Sequence, residues 1–118
     1  MRALIVEDEP IFRMDLSMRL KRLGFEAIEE TAFAAESITL AGGSSFDVIL
    51  MDIRLKDAMS GVEAATKIAQ GQSTPIIVMS AYRIDEDELR RSVPSLVRFV
   101  SKPVSDDDLS SAVAHVNA

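Results

Sequence analysis

The sequence predicts an α/β fold, a doubly wound parallel sheet of five strands with helices on both faces. Three observations predict it. Val48–Met51 and Ile76–Met79 are short apolar runs rich in β-branched residues, which suits strands buried on both faces rather than strands with one face in water. Short apolar runs and amphipathic stretches alternate five times along the chain, the pattern of a parallel sheet covered on both sides. Four of the runs finish in polar groups, Glu7–Asp8, Asp52, Ser80 and Lys102, and an open α/β sheet places its ligands outside the carboxyl ends of its strands.

Ala3–Val6 is the first strand. Glu7, Asp8 and Glu9 follow, then Pro10, a residue favoured in the first turn of a helix. Phe12, Leu16, Leu20 and Leu23 recur at helical spacing, with Arg13, Arg19, Lys21 and Arg22 on the other faces, and Gly24 stops that helix. Phe25–Glu30 is a second strand. Ala32–Leu40 is a helix of small residues ended by Gly42 and Gly43. Phe46–Asp52 is the central strand, followed by an Arg54–Ser60 loop and a Gly61–Gln70 helix ended by Gly71. Pro75 opens the fourth strand, which finishes at Ser80. Ile84–Arg91 is a short charged helix whose acids, Asp85–Glu88, sit at the end that the helix dipole favours and read as solvated. Leu96–Val100 is the fifth strand, finishing near Lys102–Pro103. Ser105 caps the last helix, Asp106–Asp108 occupy its first turn, and Leu109, Ala112, Val113 and Val116 form its apolar stripe. The six methionines read as core fillers, and His115 as a helix-surface residue.

Composition bounds the function. The 118 residues suit one domain, 1–118. With 47% hydrophobic and 27% charged residues the chain builds a core without staples. It has no cysteine, which excludes a disulfide framework, a thiol nucleophile and a thiolate metal site. No apolar run approaches membrane-spanning length, and acids interrupt the first apolar run too early for a signal peptide. A cytoplasmic protein without membrane association is expected. The net charge of −6 argues against direct nucleic-acid binding, which needs a basic patch.

Parallel strands put the polar ends on one edge of the sheet, where they can share a site. The carboxylates of Glu7, Asp8 and Asp52 would repel one another there. Mg²⁺ relieves such repulsion and prefers a few carboxylates together with waters and phosphate oxygens. Lys102 adds a compact positive charge and Ser80 a hydroxyl. Together these groups can stabilise a transferring phosphoryl group, with Asp52 as the nucleophile that forms an acyl phosphate. Taken singly they are an acidic turn, a turn serine and a surface lysine; their joint occurrence at successive strand ends carries the weight.

The stretches LIVEDEP, VILMDIRL, PIIVMSAY and FVSKPV resemble the response-regulator receiver domain, and the resemblance covers the whole chain. It implies a flavodoxin-like (βα)5 fold with strand order 2-1-3-4-5. It makes Asp52 the phosphoacceptor, Glu7 and Asp8 the acidic metal-binding pair, and the Arg54 backbone carbonyl a further Mg²⁺ ligand. Ser80 matches the hydroxyl position, Lys102 the lysine and Phe99 the switch aromatic, and the Lys102–Pro103 peptide is expected to be cis. The implied role is a signalling switch rather than an enzyme with an external product, catalysing only its own phosphorylation and dephosphorylation. A sensor histidine kinase or a histidine phosphotransfer protein would phosphorylate it. The face made by the fourth helix, fifth strand and fifth helix would then control binding of an output partner. Arg54 and Tyr82, each two residues beyond a site residue, would flank the approach of water. Departures from the family pattern are Glu7 for the commoner Asp, Ser80 for the commoner Thr, and a loop, KDAMSG, that lacks the usual Met-Pro-Gly pattern.

Other phosphate chemistries fit less well. A haloacid-dehalogenase-type phosphohydrolase wants Asp-x-Asp after the first strand, where Asp8 is followed by Glu9 and Pro10. A toprim-type nuclease wants Asp-x-Asp at Asp52, and Arg54 breaks that pattern. A nucleotide- or flavin-binding module wants a Gly-, Ser- or Thr-rich loop after the first strand, and EDEP is acidic.

Overall fold

Five strands alternate with five helices in the computed structural model, which describes residues 1–116, so residues 117–118 of the expected domain lie outside it. In chain order they are β1 (Arg2–Val6), α1 (Pro10–Arg22), β2 (Ala27–Thr31), α2 (Ala34–Gly43), β3 (Val48–Asp52), α3 (Gly61–Gly71), β4 (Ile76–Ser80), α4 (Glu86–Ser92), β5 (Leu96–Ser101) and α5 (Asp106–Val116). The strands form one sheet in the order β2-β1-β3-β4-β5, every pair parallel. This is the flavodoxin-like (βα)5 arrangement expected from the sequence.

Strand alternation sorts the apolar runs onto two faces. Ile49, Met51, Ile76 and Val78 meet α2, α3 and α4 on one side. Val48, Leu50, Ile77 and Met79 meet Leu16 and Leu20 of α1 and Leu109, Ala112 and Val113 of α5 on the other. Both faces are covered, so β3 and β4 are buried at every position. Each fully buried Leu, Ile or Val contributes about 1.5–3 kcal/mol relative to leaving it in water, and the central strands are composed accordingly.

The helix starts follow local chemistry. Pro10 opens α1 behind Glu9, whose side chain accepts the Ile11 N–H. Ser60 caps α3 and Ser105 caps α5 by accepting the N–H groups of Glu63 and Asp108. Asp85 caps α4 by accepting those of Asp87 and Glu88, so this helix starts at Glu86, after the expected Ile84.

Four further expectations are corrected. Phe25 is buried but is not part of the second strand: Gly24, at φ 102°, turns the chain, and the Phe25 N–H returns to the Leu20 carbonyl, so β2 starts at Ala27. The second helix begins at Ala34 rather than Ala32 and runs through Gly42 and Gly43, ending where Ser44 becomes extended. The third strand starts at Val48 rather than Phe46; just before it, the Asp47 N–H donates to the Arg2 carbonyl at 2.8 Å and the Asp47 carboxylate accepts the Arg2 N–H at 2.6 Å. Met51 and Met79 are core fillers, but Met14 and Met18 stand on the outer face of α1, 62% and 50% exposed, because Leu16 and Leu20 take its buried face. The Lys102–Pro103 peptide is cis, as expected.

Candidate functional site at the carboxyl edge of the sheet

The strand order brings the polar strand ends together. β1 and β3 are neighbours, so Glu7 and Asp8 emerge beside Asp52; β4 adds Ser80 and β5 leads to Lys102. A cleft of about 250 Å³ opens there, lined by Asp8, Asp52, Arg54, Ser80, Tyr82 and Lys102 among others.

Asp52 lies on its floor, 3% exposed. Its Oδ2 accepts a hydrogen bond from Lys102 Nζ at 2.9 Å, and its Oδ1 accepts the Arg54 N–H at 3.3 Å. Lys102 Nζ also donates to Glu7 Oε1 at 2.5 Å and stands 4.7 Å from the centre of the Phe12 ring. Glu7 is fully buried. Its own backbone is fixed by the Thr31 carbonyl and by Arg13, whose guanidinium donates to the Glu7 carbonyl at 2.7 Å and reaches Glu30 at 3.4 Å. Ser80 is buried; its hydroxyl accepts the Tyr82 N–H at 2.9 Å and its carbonyl accepts the Lys102 N–H at 2.8 Å.

The electrostatics follow from crowding. One carboxylate oxygen from each of Glu7, Asp8 and Asp52 lies within 4.8 Å of the others. Three carboxylates against one ammonium leave the cluster negative. Burial, then the hydrogen bond and charge of Glu7, hold the Asp8 carboxyl above its usual range. Burial pulls Lys102 down, but its bonds to Glu7 and Asp52 outweigh that and hold it above its usual value. A negative cluster of hard oxygen donors on an open cleft fits a divalent cation of the Mg²⁺ type. Sulfur and imidazole, which softer metals prefer, are absent from it.

Arg54 and Tyr82 meet at the rim, the guanidinium carbon 4.1 Å from the ring centre, both side chains exposed. Phe99 lies apart from the carboxylates. It is half-buried in β5 against the core under α4, and its N–H donates to Glu86 Oε1 at 3.0 Å.

Several residues of the site escape sequence reading. Phe12 reads as a core position of α1, yet it lies under Lys102. Arg13 reads as solvent-facing and instead braces Glu7. Gly61 reads as a helix start, but a Cβ there would sit 1.9 Å from the Asp52 carbonyl oxygen, so the chain passes Asp52 too closely for any side chain. The signal available for Phe12 and Arg13 was their position in the first turn after the acidic run, which faces the same edge.

Residues 3–114 match the response regulator receiver domain family. The chain belongs to that family. This receiver domain is similar to the transcriptional regulatory protein PdtaR of Mycobacterium tuberculosis, 32% identical over 112 residues, which cover 95% of this chain and 54% of that protein. It thus spans about half the length of that relative, and 46% of a positive alginate biosynthesis regulatory protein of Pseudomonas aeruginosa that it also matches. Among solved structures, the signal receiver domain of a modulated diguanylate cyclase from Desulfovibrio desulfuricans G20 superposes with a TM-score of 0.84 at 28% identity, covering 98% of this chain and 91% of that one. The receiver domain of the sensor histidine kinase PA1611 from Pseudomonas aeruginosa PAO1 shares the fold, with a TM-score of 0.83 at 24% identity over 99% of this chain and 98% of that one. That structure holds a magnesium ion coordinated in its active site cleft. Receiver domains of response regulators are signalling switches, and this chain is one of them.

Proposed function

We propose that this receiver domain takes a phosphoryl group on Asp52 from a phosphohistidine donor, with Mg²⁺ held by Glu7, Asp8, Asp52 and the Arg54 backbone carbonyl. The observation that carries the reading is the setting of Asp52: a buried carboxylate on the floor of a cleft, aimed by Lys102 on one oxygen and the Arg54 N–H on the other. When bound, Mg²⁺ supplies neutralising charge to the carboxylates and to the oxygens in transfer. The magnesium in the PA1611 receiver domain supports the same assignment.

In the transfer, an Asp52 oxygen bonds to phosphorus as the donor's nitrogen–phosphorus bond breaks, and the released imidazole takes a proton from solvent. Lys102 shifts its donor from Asp52 to a phosphoryl oxygen, and Ser80 donates its hydroxyl to another. The domain catalyses this transfer and the later hydrolysis, and nothing on an external substrate. Phosphorylation adds roughly −1.5 to −2 charge and three acceptor oxygens. Movement of Ser80 toward them leaves room for Phe99 to turn inward, which changes the face formed by α4, β5 and α5 and its affinity for an output partner. Residues 1–118 act as one receiver domain in the cytoplasm, with a sensor histidine kinase or a histidine phosphotransfer protein as donor and without direct contact to nucleic acid or membrane. Among the described residues no helix is long and apolar enough to cross a membrane.

The test is intact-mass analysis after incubation with a small-molecule phosphodonor and Mg²⁺. The wild type should gain one phosphoryl group and Asp52→Asn none, with its fold retained by circular dichroism. A full increment on Asp52→Asn would refute Asp52 as the acceptor.

A further inference from the structure

The loop between β3 and α3 departs from the family pattern, and it carries an unassigned device. At its start, the Ile53 N–H bonds to the Met79 carbonyl at 3.1 Å. At its end, the Gly61 N–H bonds to the Ile53 carbonyl at 2.8 Å, and Gly61 lies against the Asp52 carbonyl. Between these ends Leu55 and Met59 pack on the core, and residues 53–60 contain no proline to stiffen the backbone. Asp57 reaches out of the loop to α2. Its Oδ1 accepts the Ala34 N–H at 3.1 Å and its Oδ2 accepts the Ala35 N–H at 3.0 Å. Phe33, the residue at the cap position of α2, offers no side-chain acceptor. A residue more than twenty positions away therefore caps this helix, with a negative charge at the end where the dipole favours one. The two amides, Ala35 first, hold the Asp57 carboxyl below its usual range.

We propose that Asp57 is a positioning residue for the metal site: by tying the β3–α3 loop to the N-terminus of α2, it fixes the Arg54 backbone beside Asp52. The inference rests on the reading of the Arg54 carbonyl as a Mg²⁺ ligand. Asp57 touches neither Asp52 nor the carboxylate cluster and acts through the backbone of Leu55 and Lys56, the two residues that separate it from Arg54. Without the tether the loop samples conformations in which the Arg54 carbonyl is turned away, and the apparent affinity for Mg²⁺ falls by the fraction of molecules still competent to bind.

The experiment is a Mg²⁺ titration of the ¹⁵N-labelled protein, following the amides of Asp52 and Arg54 by NMR, for wild type, Asp57→Ala, Asp57→Asn and Asp85→Ala. Asp85 caps α4 with two N–H bonds of its own, so its loss lowers the melting temperature without loosening the Arg54 loop. Asp57→Ala should weaken Mg²⁺ binding about three- to tenfold at a temperature where it is fully folded. Asp57→Asn, which keeps one acceptor, should fall between Asp57→Ala and wild type, and Asp85→Ala should match wild type. An unchanged dissociation constant in Asp57→Ala, or an equal rise in Asp85→Ala, would overturn the inference and leave Asp57 a helix cap only. If Asp57→Ala does not fold, Asp57→Asn decides: at least a twofold weakening supports the tether and no weakening overturns it. Absence of Mg²⁺-dependent shifts in the wild type would remove the metal-site reading, and this inference with it.

Discussion

Replacing Lys102 by Met tests the arrangement at the centre of the site. Met keeps an unbranched apolar stem and removes the ammonium, with its bonds to Glu7 and Asp52 and its place over the Phe12 ring. Lys102 is the shared partner of Glu7 and Asp52, whose side chains are 0% and 5% exposed. Breaking a buried ion pair costs about 3–5 kcal/mol, mostly by stranding the remaining charge. The Lys102 side chain is 21% exposed at the mouth of the cleft, so water recovers part of that, and a loss of about 2–3 kcal/mol is expected. At ~2.1 cal/mol/K per residue the unfolding entropy of 118 residues is about 250 cal/mol/K, so the melting temperature should fall by about 8–12 °C. Adding Asp52→Asn to Lys102→Met removes one of the two stranded charges and should recover about 1 kcal/mol, or about 4 °C. The pH dependence has a definite sign. Lys102 is held above its usual value, so its stabilisation is fully present below the unfolded value of ~10.4 and is lost as pH rises through the folded value. The gap between wild type and variant should thus be constant across neutral pH and close only in strong alkali. The assay is thermal unfolding followed by circular dichroism without divalent metal. A fall under about 3 °C, or no recovery in the double variant, would refute the claim that Lys102 neutralises both carboxylates.

Asp8→Ala should weaken Mg²⁺ binding and slow phosphorylation, read by titration and by intact mass. The raised Asp8 carboxyl disfavours folding fully above its folded value and not at all well below the unfolded ~3.9, so bound protons should compete with Mg²⁺ and its affinity should fall as pH drops from ~7 toward ~4. Arg54→Ala with Tyr82→Ala removes a rim stack of about 0.5–1 kcal/mol and should speed decay of the phosphorylated form about two- to fivefold after donor removal; equal or slower decay would reject shielding. Phosphorylation should shift the amides of Phe99 and of Glu86 in α4, which share a hydrogen bond, and shifts confined to the neighbours of Asp52 would reject the relay to the α4–β5–α5 face.

The fold was legible because its signals are local. Val48–Met51 and Ile76–Met79 announce buried strands by composition, and Leu16 with Leu20 announces a helix face by spacing; neither needs knowledge of a partner. The polar strand ends were legible for the same reason, since a parallel sheet must present them on one edge. Boundaries were less so where tertiary contacts outvote propensity: Gly42 and Gly43 stay helical, and Phe25 is buried outside any strand. The sequence by itself determined the alternation of elements, the two-sided burial of the sheet and the set Glu7, Asp8, Asp52, Ser80 and Lys102. Only the tertiary structure decided that Lys102 bridges Glu7 and Asp52 across 95 and 50 residues, that Phe12 lies beneath it, that Gly61 abuts Asp52, and that Asp57 caps α2. Periodicity tells which face of an element is buried. Which distant residue meets it is set by the crossovers that stack β1, β3, β4 and β5 side by side, and sequence spacing carries no record of those distances.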